Sequence, residues 1–137
     1  MKRLALAACA VIGVFIGLGS TPIPSETPKP QPLTLALQCA GGDCPLLKGA
    51  PLTAGMRSGL VRLKPGETVG WHTTGKNEES LVILAGHGEA LIAGQPARAF
   101  TAPAFVYIPP ATRHNVANAG KDILEYVYVV APVQPQQ

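Results

Sequence analysis

The chain has 137 residues, 47% of them apolar, and a formal net charge of +3. This length is enough for one domain and not two, and the apolar fraction is enough for a packed core. Lys2 and Arg3 carry two of the positive charges, and without them nine basic side chains face eight acidic ones. No basic run remains and aromatic residues are few, so we expect no nucleic-acid partner.

The N-terminus has the pattern of an export signal. Lys2 and Arg3 precede an uncharged apolar run at residues 4–19, which ends in small residues before Ser20. The run is slightly long for the apolar part of a signal peptide and short for a membrane-spanning helix. We therefore predict a signal peptide at residues 1–19 and an exported protein, periplasmic or secreted. The alternative is a membrane tether through an uncleaved N-terminus.

The three cysteines have different expected roles. Cys9 follows Leu-Ala-Ala, as in a lipoprotein box, but too few apolar residues precede it. We interpret Cys9 as part of the signal, with lipidation as the alternative. Cys39 and Cys44 lie close together, and in an oxidising compartment such a pair favours a disulfide over a metal site. Two free thiols on an ordered loop are the other interpretation.

Proline and glycine divide the rest of the chain. Residues 20–32 contain five prolines and are predicted to form an extended linker. Residues 33–130 form the predicted domain, and residues 131–137 a disordered tail. Within the domain, short apolar runs alternate with turn signals and no helical period persists, which is typical of a β-sandwich or barrel. The predicted strands are residues 56–63, 68–72, 80–84, 89–92, 98–101, 105–108, 114–118 and 124–130.

Two segments of the predicted domain contain histidines at a characteristic spacing. The first reads GETVGWHTTGKNEESLVILAG at residues 66–86, and the second reads PPATRHNVAN at residues 109–118. Together they resemble the two signature motifs of the cupins, small β-barrel proteins that usually hold a metal inside the barrel. The resemblance implies an all-β fold, an antiparallel jelly-roll β-barrel, behind the signal peptide and the Pro-rich linker.

The resemblance also implies a metal site with one unusual position. The usual pattern takes two His and one Glu from the first motif and one His from the second. Here His72, Glu79 and His114 fall on ligand positions, while Thr74 stands where the second His would be. Two imidazoles and one carboxylate suit a divalent transition metal, with Fe, Mn, Ni, Cu and Zn all left open. Side chains alternate along a strand, so Thr74 should face the same way as His72.

Neighbouring residues leave further alternatives. Glu78 competes with Glu79 for the carboxylate role, but the spacing to the closing Gly of the first motif favours Glu79 and turns Glu78 towards solvent. Ala111 and Pro103 stand where the second motif usually has Gly. Because Gly is preferred where φ is positive, Ala111 predicts either a different turn type or local strain. His87, in a Gly-His-Gly sequence, is expected to be an exposed turn residue and not a ligand.

Three functions remain open at this point. The resemblance implies a metal-dependent enzyme, dioxygenase-like or isomerase-like, with Thr74 as a catalytic residue that orients a species at the metal. The alternative is a non-catalytic module that binds a sugar or another small molecule at a degenerate metal site, with Thr74 only filling space. A third is a structural role at the cell envelope, with a homodimer formed through an exposed sheet edge.

Overall fold

The computed structural model describes residues 29–133. The predicted signal peptide, Cys9, most of the linker and residues 134–137 lie outside the described residues. Regular structure between residues 29 and 133 consists of eight β-strands, and none of these residues belongs to a helix able to span a bilayer. The strands are β1 (Cys44–Lys48), β2 (Arg57–Leu63), β3 (Glu78–Ala85), β4 (His87–Ile92), β5 (Arg98–Thr101), β6 (Ala104–Ile108), β7 (His114–Ala117) and β8 (Leu124–Ala131).

The strands form two antiparallel sheets. The larger has the order β1-β2-β8-β3-β6, and the smaller has the order β5-β4-β7. Several neighbours in a sheet are distant in sequence, as in β2 with β8, because the chain crosses repeatedly between the sheets. This arrangement confirms the predicted all-β, antiparallel jelly-roll barrel.

The core lies between the two sheets and follows from the alternation of side chains along each strand. Leu81 and Ile83 of β3 and Tyr126 of β8 point inward from the larger sheet. Ala90 of β4 and Val116 of β7 meet them from the smaller sheet. Each of these five residues is at most 2% exposed, so removal of apolar surface from water holds the sheets together.

One predicted strand was wrong, and one strand was missed. Residues 68–72 do not form a strand but make isolated bridges, Thr68 with Ala117 and His72 with His114. Gly70 interrupts the segment with a φ of 88°, which is incompatible with continuous extended backbone. Conversely, β1 was not predicted. It contains a proline and its register shifts within the strand, features that weaken a strand pattern in sequence.

The segment before β1 is attached to the barrel at two points. Cys39 and Cys44 are joined in a disulfide, as predicted. Asp43, within the disulfide loop, accepts a hydrogen bond of 2.7 Å from the backbone N–H of Arg62 in β2. The chain that leads away from the predicted linker is therefore fixed against the larger sheet.

One edge of the larger sheet is formed by β6. Phe105 on this strand is 65% exposed, and its neighbour in register, Val82 of β3, is 39% exposed. An open edge beside exposed apolar side chains is the kind of surface through which strands pair. The structure therefore contains the sheet edge on which the homodimer prediction depends, and the homodimer itself stays a prediction.

Candidate metal centre

Three separate parts of the chain bring the predicted ligands together. Glu79 is the second residue of β3, His114 is the first residue of β7, and His72 lies in the loop that follows β2. His72 and His114 pair through their backbones, each N–H donating to the other's carbonyl at 2.9 Å. This bridge fixes the two imidazoles side by side.

The three side chains of His72, Glu79 and His114, called the metal group below, converge closely. One ligand atom from each of His72, Glu79 and His114 can be chosen so that all lie within 4.8 Å of one another. The Nε2 atom of His114 lies 3.1 Å from Oε2 of Glu79, and the two imidazole centroids are 4.3 Å apart. Glu79 and His114 are buried, whereas His72 is exposed. The group is therefore closed on one side and open on the other.

Backbone carbonyls orient both imidazoles. Nδ1 of His72 lies 2.9 Å from the carbonyl oxygen of Gly70, and Nδ1 of His114 lies 3.0 Å from that of Thr112. A carbonyl can only accept, so each Nδ1 is the donor and carries the ring proton. In the neutral form of each ring, Nε2 then has a free lone pair, which is the arrangement that metal-binding histidines usually have.

Buried polar atoms at this site lack hydrogen-bond partners. Among residues 29–133, Oε2 of Glu79 and Nε2 of His114 have no partner other than each other, at a distance of 3.1 Å. Buried polar atoms are nearly always paired, and two lone pairs that face each other need a proton or a cation between them. Two imidazole nitrogens and a carboxylate oxygen are a donor set for a divalent transition metal. The residues therefore fit a metal ion.

The environment of His114 favours its protonated form. Burial lowers the pKa of its imidazole, but the contact with Glu79, the hydrogen bond to the Thr112 carbonyl and the negative charge of Glu79 together outweigh burial. The pKa of His114 therefore lies above its ordinary value. A proton and a metal ion compete for the same nitrogen, so metal binding at this site should weaken as the pH falls.

A pocket of about 400 Å³ lies against the open side of the group. This volume is in the range of small-molecule sites. Tyr126 lies in the wall of this pocket. Burial and the charge of Glu79 raise the pKa of its phenol, which therefore keeps its proton. The residues that line the pocket are Arg57, Val61, Val69, His72, Thr73, Thr74, Glu79, Val116, Tyr126, Tyr128 and Val130.

Thr74 lines this pocket with His72, as the alternation of side chains predicted, but Thr73 between them lines it as well. Its hydroxyl donates a hydrogen bond of 3.0 Å to the carbonyl of Asn77. The hydroxyl proton of Thr74 is therefore engaged in a hydrogen bond within the loop, while the hydroxyl oxygen can still accept a hydrogen bond. The catalytic role of Thr74 stays a prediction.

The structure places other predicted residues as follows. Glu78 faces away from the barrel on the opposite side of β3 from Glu79, as predicted, and accepts an exposed hydrogen bond from the Tyr107 hydroxyl. His87 is not a turn residue: it begins β4 and lies 2.8 Å from the Thr101 hydroxyl. It is outside the metal group, as expected. Ala111 has a φ of 57°, so of the two alternatives the turn is a strained one.

Sequence reasoning missed Arg57 and left the two tyrosines open. In the sequence, Tyr126 and Tyr128 are two residues apart, so they share a strand face that could line the barrel or pack outside it; in the structure both line the pocket. Arg57 at the start of β2 also lines the pocket. Its position relative to Glu79 depends on the pairing of three strands, which only the structure supplies.

Comparison with solved structures supports the fold. A cupin domain of Schizosaccharomyces pombe has a TM-score of 0.60 and 20% identity, over 66% of this chain and 64% of its own. A Cupin 2 conserved barrel domain protein of Salinispora arenicola has a TM-score of 0.58 and 24% identity, over 77% and 89%. A cupin-like protein of Thermotoga maritima has a TM-score of 0.60 and 24% identity, over 66% and 68%.

At these identities the structural likeness shows the fold alone. No functionally curated protein matches the chain in sequence. The family model of the cupin domain, however, matches residues 59–130, which is more than half of the chain and includes both histidine motifs. The chain therefore belongs to the cupin family, as the two motifs predicted.

Proposed function

We propose that this protein is an exported, metal-binding cupin that acts on a small organic molecule, with dioxygenase-like or isomerase-like chemistry. His72, Glu79 and His114 hold the metal, and the adjoining pocket holds the organic molecule. Export is supported by the N-terminal sequence pattern and by the disulfide between Cys39 and Cys44, a bond typical of oxidising compartments.

One observation carries the metal proposal. Oε2 of Glu79 and Nε2 of His114 are buried, lie 3.1 Å apart and have no other partner among the described residues. Two lone pairs that face each other in a buried site cost free energy unless a proton or a cation satisfies both, and a metal ion would do so. His72 supplies a third donor from the pocket side.

Different residues around the site bind the metal, orient the imidazoles and contact the organic molecule. Glu79 balances part of the charge of the cation, while the carbonyls of Gly70 and Thr112 hold the imidazoles in place. When bound, a divalent metal supplies Lewis-acid or redox chemistry to the organic molecule. Tyr126 stays protonated and can donate a hydrogen bond into the pocket. The Thr74 oxygen can accept one from a bound molecule.

A non-catalytic binding module is the second candidate. It is favoured by the hydroxyl of Thr74, which is engaged with the loop carbonyl of Asn77. In this case the pocket binds a sugar or another small molecule, and the metal is incidental or absent. Ligand binding that survives both removal of the metal and the substitution Glu79→Gln would support this candidate over the enzyme.

Elemental analysis tests the metal proposal directly. The protein would be purified without a metal-binding tag and reloaded in turn with iron(II), manganese, nickel, copper and zinc. We expect about one equivalent per chain, because the donor set is that of a single ion. Glu79→Gln should lose the metal, since it replaces a charged donor by a neutral amide of the same shape.

His87→Ala is the matched control, because His87 is a histidine outside the group and bonds only to Thr101. It should retain as much metal as the wild type. Thermal unfolding of metal-free samples shows whether Glu79→Gln is still folded. The proposal is wrong if the wild type takes up none of these metals, or if folded Glu79→Gln retains as much as the control.

A further inference from the structure

Arg57 shares the inner face of the larger sheet with core residues. It begins β2, and alternate residues on this strand point to the same face. Val61 and Leu63 lie on that face and belong to the buried core. Arg57 itself is exposed and lines the pocket beside the metal group. A charged residue thus ends a row of side chains that is otherwise apolar.

Strand pairing sets the separation between Arg57 and the metal ligands. Arg57 is directly opposite Val130 of β8, and Val130 is directly opposite Glu79 of β3. Arg57 and Glu79 are therefore two strands apart in one row, a backbone separation of about 10 Å. Both residues line the same pocket. A small molecule that spans this distance would contact both Arg57 and Glu79.

No ion pair between residues 29 and 133 involves Arg57. Arg62, on the opposite face of the same strand, is by contrast paired with Glu125. Glu79 is the acidic residue of the pocket wall, and its charge is directed to the two histidines. The guanidinium of Arg57 is therefore available to a bound anion.

We propose that the pocket binds an organic acid, with the carboxylate of the acid on Arg57 and its other polar end at the metal group. The metal end of this inference rests on the proposed function. Guanidinium and carboxylate match each other in a two-bond geometry, which gives such pairs both strength and direction. A pocket of about 400 Å³ is suited to a molecule of this kind.

Calorimetric titration of the zinc-loaded protein tests the inference. Glutarate, which has a carboxylate at each end, is compared with its monoamide, in which one carboxylate is replaced by a neutral group of similar shape. We expect glutarate to bind roughly tenfold more tightly, because hydrogen bonds to charged groups are stronger than neutral ones. The difference should shrink at high ionic strength, since Arg57 is exposed.

The substitution Arg57→Gln should abolish this preference and leave the metal content unchanged. Arg98→Gln is the matched control, since Arg98 is an exposed arginine bonded to Gln95 and outside this pocket. It should keep the preference. A preference that persists in Arg57→Gln, or no glutarate binding to the wild type, overturns the inference.

Metal analysis of the same samples separates the two proposals. Normal metal content without an Arg57-dependent preference overturns the organic-acid inference alone. If the wild type holds no metal, the proposed function fails, and the titration is repeated on that metal-free protein. A preference there for acetate over acetamide that Arg57→Gln removes supports the carboxylate site, and the lack of one overturns it.

Discussion

At the scale of single residues, Ala111 lies in a backbone region that favours glycine. Its φ is 57°, and its N–H donates a hydrogen bond of 2.6 Å to the carbonyl of Gly75. This bond connects the turn before His114 to the loop that contains His72 and Thr74. The strained turn therefore helps to position both histidine segments. The residue at position 111 has to adopt the left-handed backbone conformation that this turn requires.

We predict that Ala111→Gly stabilises the protein. Relief of the left-handed conformation is worth about 1–2 kcal/mol, and the greater freedom of glycine in the unfolded chain costs about 0.5–1 kcal/mol. The net gain in the free energy of unfolding should be about 0.5 kcal/mol. Ala119→Gly is the control, because Ala119 is exposed and its φ is not positive.

Urea unfolding of both variants measures this difference. Ala111→Gly should raise the midpoint, whereas Ala119→Gly should lower it. Equal losses in the two variants would show that the turn is not strained in solution.

At the scale of elements, the turn between β3 and β4 depends on a close backbone approach. Gly86 has a φ of 89°, and a Cβ atom there would lie 2.5 Å from the carbonyl oxygen of Ile123. Gly94, in the turn after β4, has a φ of 74° but open space around it. The two glycines thus share a backbone conformation and differ in packing.

We therefore predict unequal effects of alanine at the two turns. Gly94→Ala should cost only the conformational strain, about 1–2 kcal/mol. Gly86→Ala should cost a further 1–3 kcal/mol or so, because the backbone before β8 has to move away from the new methyl group. Chemical denaturation of the two variants provides the comparison, and similar losses would contradict the close approach between Gly86 and Ile123.

The arrangement of the strands explains which site residues and strands could be predicted from the sequence and which could not. His72, Glu79 and His114 were identified because their spacing follows two local motifs, and the barrel brings such segments together. Arg57 was missed because its place opposite Glu79 depends on the register of β2, β8 and β3, which no local pattern encodes. The strand at residues 68–72 was overpredicted, since an alternating pattern does not show that Gly70 adopts a positive φ.

At the scale of the whole molecule, the metal group connects the two sheets. Glu79 belongs to the larger sheet and His114 to the smaller one, while His72 is paired with His114 by its backbone. The net interaction between the sheets at this point depends on what occupies the space between Glu79 and His114. A proton on His114 makes the pair attractive without metal, and a metal ion replaces that proton when it binds.

The last prediction concerns how stability depends on pH. His114 has a pKa above its ordinary value of 6.5 in the folded protein, so the folded chain binds this proton more tightly than the unfolded chain. Its contribution to stability in the metal-free protein is fully present below pH 6.5 and is lost as the pH rises through the raised pKa. The metal-free wild type should therefore lose stability relative to His114→Gln as the pH rises from about 6 to about 8.

Metal reverses this trend, because a histidine has to lose its proton before Nε2 can bind a cation. The stabilisation gained on metal loading should thus grow over the same pH interval in the wild type and be absent in His114→Gln. Thermal unfolding of both proteins, with and without metal, measures the four curves. If the metal-free difference grew with pH instead, the proton on His114 would not hold the sheets together, and burial would outweigh Glu79 at this site.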